Sequence, residues 1–429
     1  MDNQSEYSSV AVTAEQIVSW PRVAAVSVMI AFSLPTFITG IEIYQGLTVP
    51  DTVWALIIGS VLLTIIGGTM GAIGAKTRLS SYLLVRIAFG DRGAGVVNLA
   101  FALSLIGWFG VNIDLFSGAV SRLALDVFEL HIPDWPIEMA AGICMIITTI
   151  FGFKAINILA SIMVPVLVVV TAMMFWAAYN QLSLEQFWYF EKSATLTLSD
   201  AVSAIVGAII VGAIILPDIT RFTKHWTGGV YTAFWAYMVV ELIVLFVAAF
   251  AAAAIGQSEI LSLMLGLGLG LAAFVIVIAG SWLLNSLNLY STMLSVEATW
   301  PKITGKLYTC LFGLAGIIAA FFNILDVFIA FLSFLAAIFV PVSGVIMVDF
   351  LFIRREFYNL DSLKNNVKFS PAAFIAWLLG AALAVFSDVA FMPSFTSITV
   401  LDAVLISGIV YALLCHVWST PVKNVEGEI

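Results

Sequence analysis

Few side chains in this sequence can do chemistry, and those few fall in patterns. Ser281, Asn285, Asn288 and Thr292 recur at i, i+4, i+7 and i+11 inside an otherwise apolar run, which draws one polar stripe along a helix. Such a stripe either lines a cavity or glues helices together, and Asn285 is its first candidate for ligand contact. Ser33, Thr36 and Thr39 make a shorter stripe open to the same two readings. Glu42 and Asp114 are carboxylates inside apolar segments, with Glu241 and Asp326 as lesser cases. An Asp at a membrane-helix centre costs about 2.5–3.5 kcal/mol, so Glu42 and Asp114 are candidates for carrying a coupling proton or for serving as counter-ion to a cationic ligand. Glu42 also fits a position near the outer water. Asp218 and Arg221 stand at i, i+3, as a local ion pair at a gate or as a helix-end pair with no further role.

Enzyme chemistry has little to stand on. Cys144, Cys310 and Cys415 are odd in number and sit in apolar runs, and His131, His225 and His416 are scattered, so neither a disulfide framework nor a zinc site is implied. No Gly-rich phosphate loop, nucleophile elbow or kinase-type set is present; no catalytic residue, cofactor or metal is expected.

The elements that must position these residues follow from composition. Of 429 residues 62% are apolar and 10% charged, with mean hydropathy +1.10, against about 25% charged in a soluble domain. The chain therefore reads as an all-α polytopic membrane protein. Its first 21 residues hold Asp2, Glu6 and Glu15 without a basic stretch, and the apolar run after them is too long for a signal peptide's core, so it is read as a retained span.

Apolar runs of membrane-crossing length place twelve spans near 23–45, 53–75, 95–121, 137–153, 156–178, 200–220, 230–255, 262–294, 307–322, 327–352, 371–390 and 398–418. Of the 17 basic residues only Arg122 and Lys192 fall outside one set of alternate loops, which puts both termini in the cytoplasm of a cell whose plasma (inner) membrane holds the chain. Spans 1 and 6 carry Pro35, Gly40 and Gly46, and Gly207, Gly212 and Pro217. Helix interruptions at membrane depth are tolerated where they are packed in protein or line a cavity. Their matching places suggest a 5+5 inverted repeat plus two C-terminal helices: a tail 1–21, repeats 22–178 and 199–355, helices 371–418 and a tail 419–429.

Residues Gly74 to Asn112, GAKTRLSSYLLVRIAFGDRGAGVVNLAFALSLIGWFGVN, with Pro217 to Phe222, PDITRF, and Pro341 to Arg355, PVSGVIMVDFLFIRR, resemble the bacterial cytosine permease branch of the nucleobase:cation symporter-1 family. The resemblance covers nearly the whole chain. It implies a LeuT-like fold, alternating access, one small-molecule site at mid-membrane, and coupling to sodium or protons. It implies that Trp108 stacks on a flat heterocycle, where a π-face needs no base-specific code; a packing or interfacial tryptophan is the plainer alternative. Asn112, one turn on, stands where a hydantoin-transporting relative has an amide.

Departures from the family pattern matter as much. Leu105 replaces a glutamine, Ala208-Ile209 replaces a Ser-Phe pair beside Gly207, and Leu283 and Leu284 stand where two hydroxyl side chains would coordinate sodium. Leucine offers a hard cation no side-chain oxygen, so a proton is favoured over sodium. The expected function is cation-coupled import of a small planar nitrogen heterocycle, a nucleobase or pyrimidine-related compound. The rivals are transport of a small organic cation held by Glu42 or Asp114, and a non-transporting receptor. The expected partners are the substrate and the lipid bilayer, with no nucleic acid polymer, and the chain is expected to be a monomer.

Overall fold

The computed structural model describes residues 11–151, 153–257, 260–270, 280–299, 305–322, 327–387 and 394–418. Asp2, Glu6, Lys302, Asp326, Lys423 and most of the two tails lie outside them, as does the side chain of Lys154. Helix occupies each of the expected spans, because a backbone in lipid must satisfy its own hydrogen bonds. Among the described residues, seven helices are long and apolar enough to cross a membrane unaided, and a bent pair makes eight. Gly305–Ala320 and Pro371–Val385 are shorter apolar helices at spans 9 and 11.

Span 1 is that bent pair. Its first half, span 1a, is Trp20–Ala31, its second half, span 1b, is Leu34–Gly46, and the two meet at 50°. Proline causes the break, since the Pro35 ring would collide with the carbonyl four residues back, at Ala31. Span 6 repeats the device: Leu198–Ile214 ends where Pro217 requires it, and Pro217–Thr220 forms a separate turn. The expected interruption at Gly40, Gly46, Gly207 and Gly212 is not found. These four lie within helices, and a Cβ at Gly207 would overlap the Leu332 carbonyl oxygen of span 10. Gly207 thus sets how closely spans 6 and 10 approach. Gly207→Ala is expected to cost about 1–3 kcal/mol by overpacking, read as a lower melting temperature in detergent.

Span 2 is Val49–Thr77, span 3 Asp91–Phe128, span 7 Trp226–Ile255 and span 10 Phe328–Ile353. Span 7 contains a π-helical stretch, Phe234–Glu241. Within the expected span 8 the described residues form a short helix, Ile260–Gly266, and a longer one, Ser281–Thr299. Span 3 packs along span 8, span 2 along span 7, and span 6 between spans 2 and 10.

Two of the sequence blocks are neighbours in space. A Cβ at Gly74 would stand 2.5 Å from Pro217 Cα. Arg78, left-handed at φ 64, donates to the carbonyls of Arg221 (2.7 Å), Thr223 and Lys224 (3.0 Å), satisfying a helix end that has no further turn to bond. Arg86 and Arg354 gather at this same basic end: Asn366 donates to the Arg86 carbonyl (2.6 Å) and Arg354 to that of Ile87 (3.2 Å). At the opposite end Thr195 N–H bonds the Gly46 carbonyl (2.8 Å), and Ser199 meets Thr399 (2.9 Å).

Candidate functional site

A small cavity sits at the break of span 1. Ile30, Ser33, Pro35 and Thr36 of span 1 face Leu105 and Trp108 of span 3, Ala208, Ile209 and Gly212 of span 6, and Leu284, Leu287, Asn288 and Ser291 of span 8. Its volume is about 40 Å³, room for a few waters. Apolar side chains form most of the wall, and the polar groups lie on spans 1 and 8. Ser33 Oγ and Thr36 Oγ1 share a hydrogen bond (3.2 Å). Asn288 is 7% exposed, and its amide nitrogen has no hydrogen-bond partner. A buried amide donor left unpaired is costly, so an acceptor placed beside it would be favourable.

Trp108 of this cavity contacts Phe328, which lines a second, larger one. The Trp108 indole, 5% exposed, meets Phe328 (ring centroids 6.3 Å, 85°) and Phe331 (5.4 Å, 68°) edge to face, a favoured aromatic geometry. Beyond that aromatic layer, towards the end opposite the basic loops, lies a vestibule of about 730 Å³ lined by Leu34, Ile38, Glu42, Asp114, Ile260 and Phe328 among others.

The two carboxylates expected near the central cavity are therefore elsewhere. Glu42 and Asp114 line the vestibule and are partly exposed. Asp114 is six residues beyond Trp108 on a straight helix, roughly 9 Å along the axis at 1.5 Å per residue, and Glu42 is carried outward on span 1b. No carboxylate appears among the described residues lining the central cavity.

The polar stripe of span 8 splits between two neighbours. Asn288 faces the cavity, whereas Asn285, wholly buried, donates to the Phe109 carbonyl (3.0 Å) and Met145 Sδ (3.4 Å), tying span 8 to spans 3 and 4. Ser281 is buried, and Thr292 bonds back to the Asn288 carbonyl (2.8 Å). Asn112 donates to the Trp108 carbonyl (2.7 Å) and Thr39 to the Pro35 carbonyl (2.8 Å), and neither lines the cavity. Leu284 lines it; Leu283 is fully buried to one side.

At the basic end Asp218 and Arg221 stand together on the short turn that ends span 6. Arg221 Nε donates to the Asp218 backbone carbonyl (3.1 Å). The Asp218 carboxylate accepts from Ser81 N–H and Ser81 Oγ, both 2.8 Å. Ser81 opens the helix Ser81–Phe89, whose N-terminal N–H groups favour an anion. Sequence spacing could not show this, since 137 residues separate the partners.

Relatives support the same reading. A family of permeases for cytosine/purines, uracil, thiamine and allantoin matches residues 13–411. The cytosine permease of Escherichia coli (strain K12) is 28% identical, with 80% of each chain covered. The hydantoin permease of Microbacterium maritypicum is 23% identical over 94% of this chain and 86% of its own. Among solved structures, a nucleobase-cation-symport-1 family transporter closed with bromovinylhydantoin bound has TM-score 0.81 at 18% identity, covering 97% of both chains. A sodium-coupled sialic acid symporter has TM-score 0.66 at 14% identity, with 97% of this chain and 94% of that one covered. With its helices and the match over residues 13–411 in agreement, the chain is a multi-pass membrane permease and belongs to the cytosine/purine permease family, nucleobase:cation symporter-1.

Proposed function

We propose that this permease imports a small, flat, uncharged nitrogen heterocycle with an amide-like edge, such as a nucleobase or pyrimidine, across the plasma membrane, with its basic end and both termini in the cytoplasm. Residues 22–178 and 199–355 act as the two repeats and 371–418 as appended helices, in a monomer. The carrying observation is the Asn288 amide, unpaired and buried beside Trp108 in an otherwise apolar cavity. Donor and acceptor on one amide complement the N–H and C=O of a lactam edge. The wall lacks a carboxylate among its described residues, which disfavours an organic cation, whose charge would need a partner.

Asn288→Leu is expected to weaken binding of cytosine or uracil several-fold by removing the polar partner in a dry site, with Asn285→Leu affecting stability instead. Equal base affinity in wild type and Asn288→Leu, measured by scintillation proximity, would remove the amide from substrate recognition.

Cation coupling follows from the family, and Leu283 and Leu284 favour a proton over sodium. Base affinity is expected to be the same with and without sodium at fixed ionic strength. Tightening on sodium addition would mean that backbone carbonyls or other side chains build a sodium site. Glu42 and Asp114 are placed to exchange protons with water in the vestibule, at one end of the path only.

A further inference from the structure

A third acid lies deeper than either vestibule carboxylate. Glu241, at the end of the π-helical stretch of span 7, is 1% exposed, and its Oε2 has no hydrogen-bond partner. One turn earlier on the same stretch stands Tyr237, fully buried, whose hydroxyl adjoins Ser27 of span 1a. Ser27 Oγ and Tyr237 OH are also buried without a closed hydrogen bond. The Tyr237 ring rests on Gly67 of span 2, where a Cβ would overlap it. Three orphaned oxygens thus lie on the segments that join spans 1a, 2 and 7.

Among the described residues, no counter-charge to Glu241 appears in the middle of the segments packed around it. The segments packed against the π-helical stretch are span 1a, span 2 and the flanking parts of span 7. Their charged residues are Arg22, Asp51 and Lys76, all in the first or last turn of a helix, and their other titratable group is Tyr231, exposed on the surface. The remaining titratable group of these segments is Tyr237, one turn from Glu241. A carboxylate taken out of water without a cation costs far more than the proton that neutralises it, so in this packed arrangement Glu241 carries its proton. Single π-turns often mark functional positions in membrane helices. This one packs on the half-helix whose Ile30, three residues past Ser27, lines the central cavity.

We propose that Glu241 is a proton-binding site of the transport cycle. It holds one proton while span 1a is packed against span 7, and it loses that proton to water when the two part. The carboxylic acid gives one proton and leaves one carboxylate, which cannot be repacked until a proton returns. Opening of the cavity along span 1a is thereby tied to proton release. This rests on the transport reading above for its coupling, but the protonation of Glu241 can be tested without any substrate.

The full chain is reconstituted in lipid, and infrared spectra of the carboxylic acid C=O stretch are compared for wild type, Glu241→Gln and Tyr237→Phe. The expected result is a protonated-acid band in wild type at neutral pH, absent in Glu241→Gln and displaced in Tyr237→Phe. A band unchanged by both substitutions overturns the proposal, and Tyr237→Phe decides it alone if Glu241→Gln fails to insert. The same vesicles are then given cytosine or uracil with a trapped pH dye. Counterflow exchange is expected in wild type and Glu241→Gln alike, with substrate-driven proton influx in wild type only. Proton influx retained in Glu241→Gln, or absent from a wild type that exchanges base, overturns the coupling role. Failure of wild type to exchange either base defeats the substrate reading instead, while the infrared band still decides whether Glu241 holds the proton.

Discussion

Trp108→Ala is expected to weaken base binding at least tenfold, about 1.4 kcal/mol, and up to about 3 kcal/mol if the full stacking platform is lost. Two effects combine. The indole is the one aromatic face among the described cavity residues, and its removal also opens the layer it forms with Phe328 and Phe331, on the side where Phe328 lines the vestibule. A bound base would then be exposed to water that competes for the Asn288 amide. Trp108→Phe is expected to recover part of the loss by restoring a ring. Unchanged affinity in a Trp108→Ala protein that inserts and melts normally would reduce this residue to packing.

The second large effect concerns stability. Asp349, wholly buried at the end of span 10, binds Arg354 through two hydrogen bonds (2.8 Å each) and accepts from Tyr358 (2.8 Å) and from Tyr411 of span 12 (2.9 Å). Arg354 also reaches the Tyr411 hydroxyl (3.1 Å). One carboxylate therefore joins the end of span 10 to span 12. Asp349→Ala leaves the guanidinium and two phenols without their acceptor, and breaking such a pair costs about 3–5 kcal/mol, expected as a steep drop in melting temperature and expression. Replacing both partners, Asp349→Leu with Arg354→Met, is expected to recover much of it, because no charge is then left unpaired. A single Asp349→Ala protein as stable as wild type would contradict this account.

Much of the architecture was legible in the sequence because lipid imposes so few solutions. Apolar runs give the spans, and Pro35 and Pro217 mark both breaks. The glycines misled, since Gly207 and Gly212 lie in an intact helix and serve close packing, which composition alone does not distinguish from interruption. At the site, Trp108, Thr36, Asn288, Ala208, Ile209 and Leu284 line the cavity, whereas Asn112, Asn285, Thr39, Gly207 and Leu283 do not. Helical periodicity selects a face but not its neighbour. Asn285 and Asn288 are about 60° apart around the axis at 3.6 residues per turn, enough to turn one to span 3 and the other to the cavity. Glu241 shows the same limit from the other side, since a lone acid in an apolar run looks minor until the lack of a counter-charge in the middle of the described segments packed around it is visible.

The claim at the centre of this account is that the cavity between spans 1, 3, 6 and 8 carries a flat, uncharged base. Counterflow in proteoliposomes tests it most directly, with vesicles loaded separately with cytosine, uracil, hydantoin and a small quaternary ammonium ion and challenged with trace label of each. Exchange of at least one of the three heterocycles, diminished by Trp108→Ala and by Asn288→Leu and absent for the ammonium ion, is the result predicted. Exchange of the ammonium ion alone, lost on Glu42→Gln or Asp114→Asn, would contradict it and move the binding site to the vestibule.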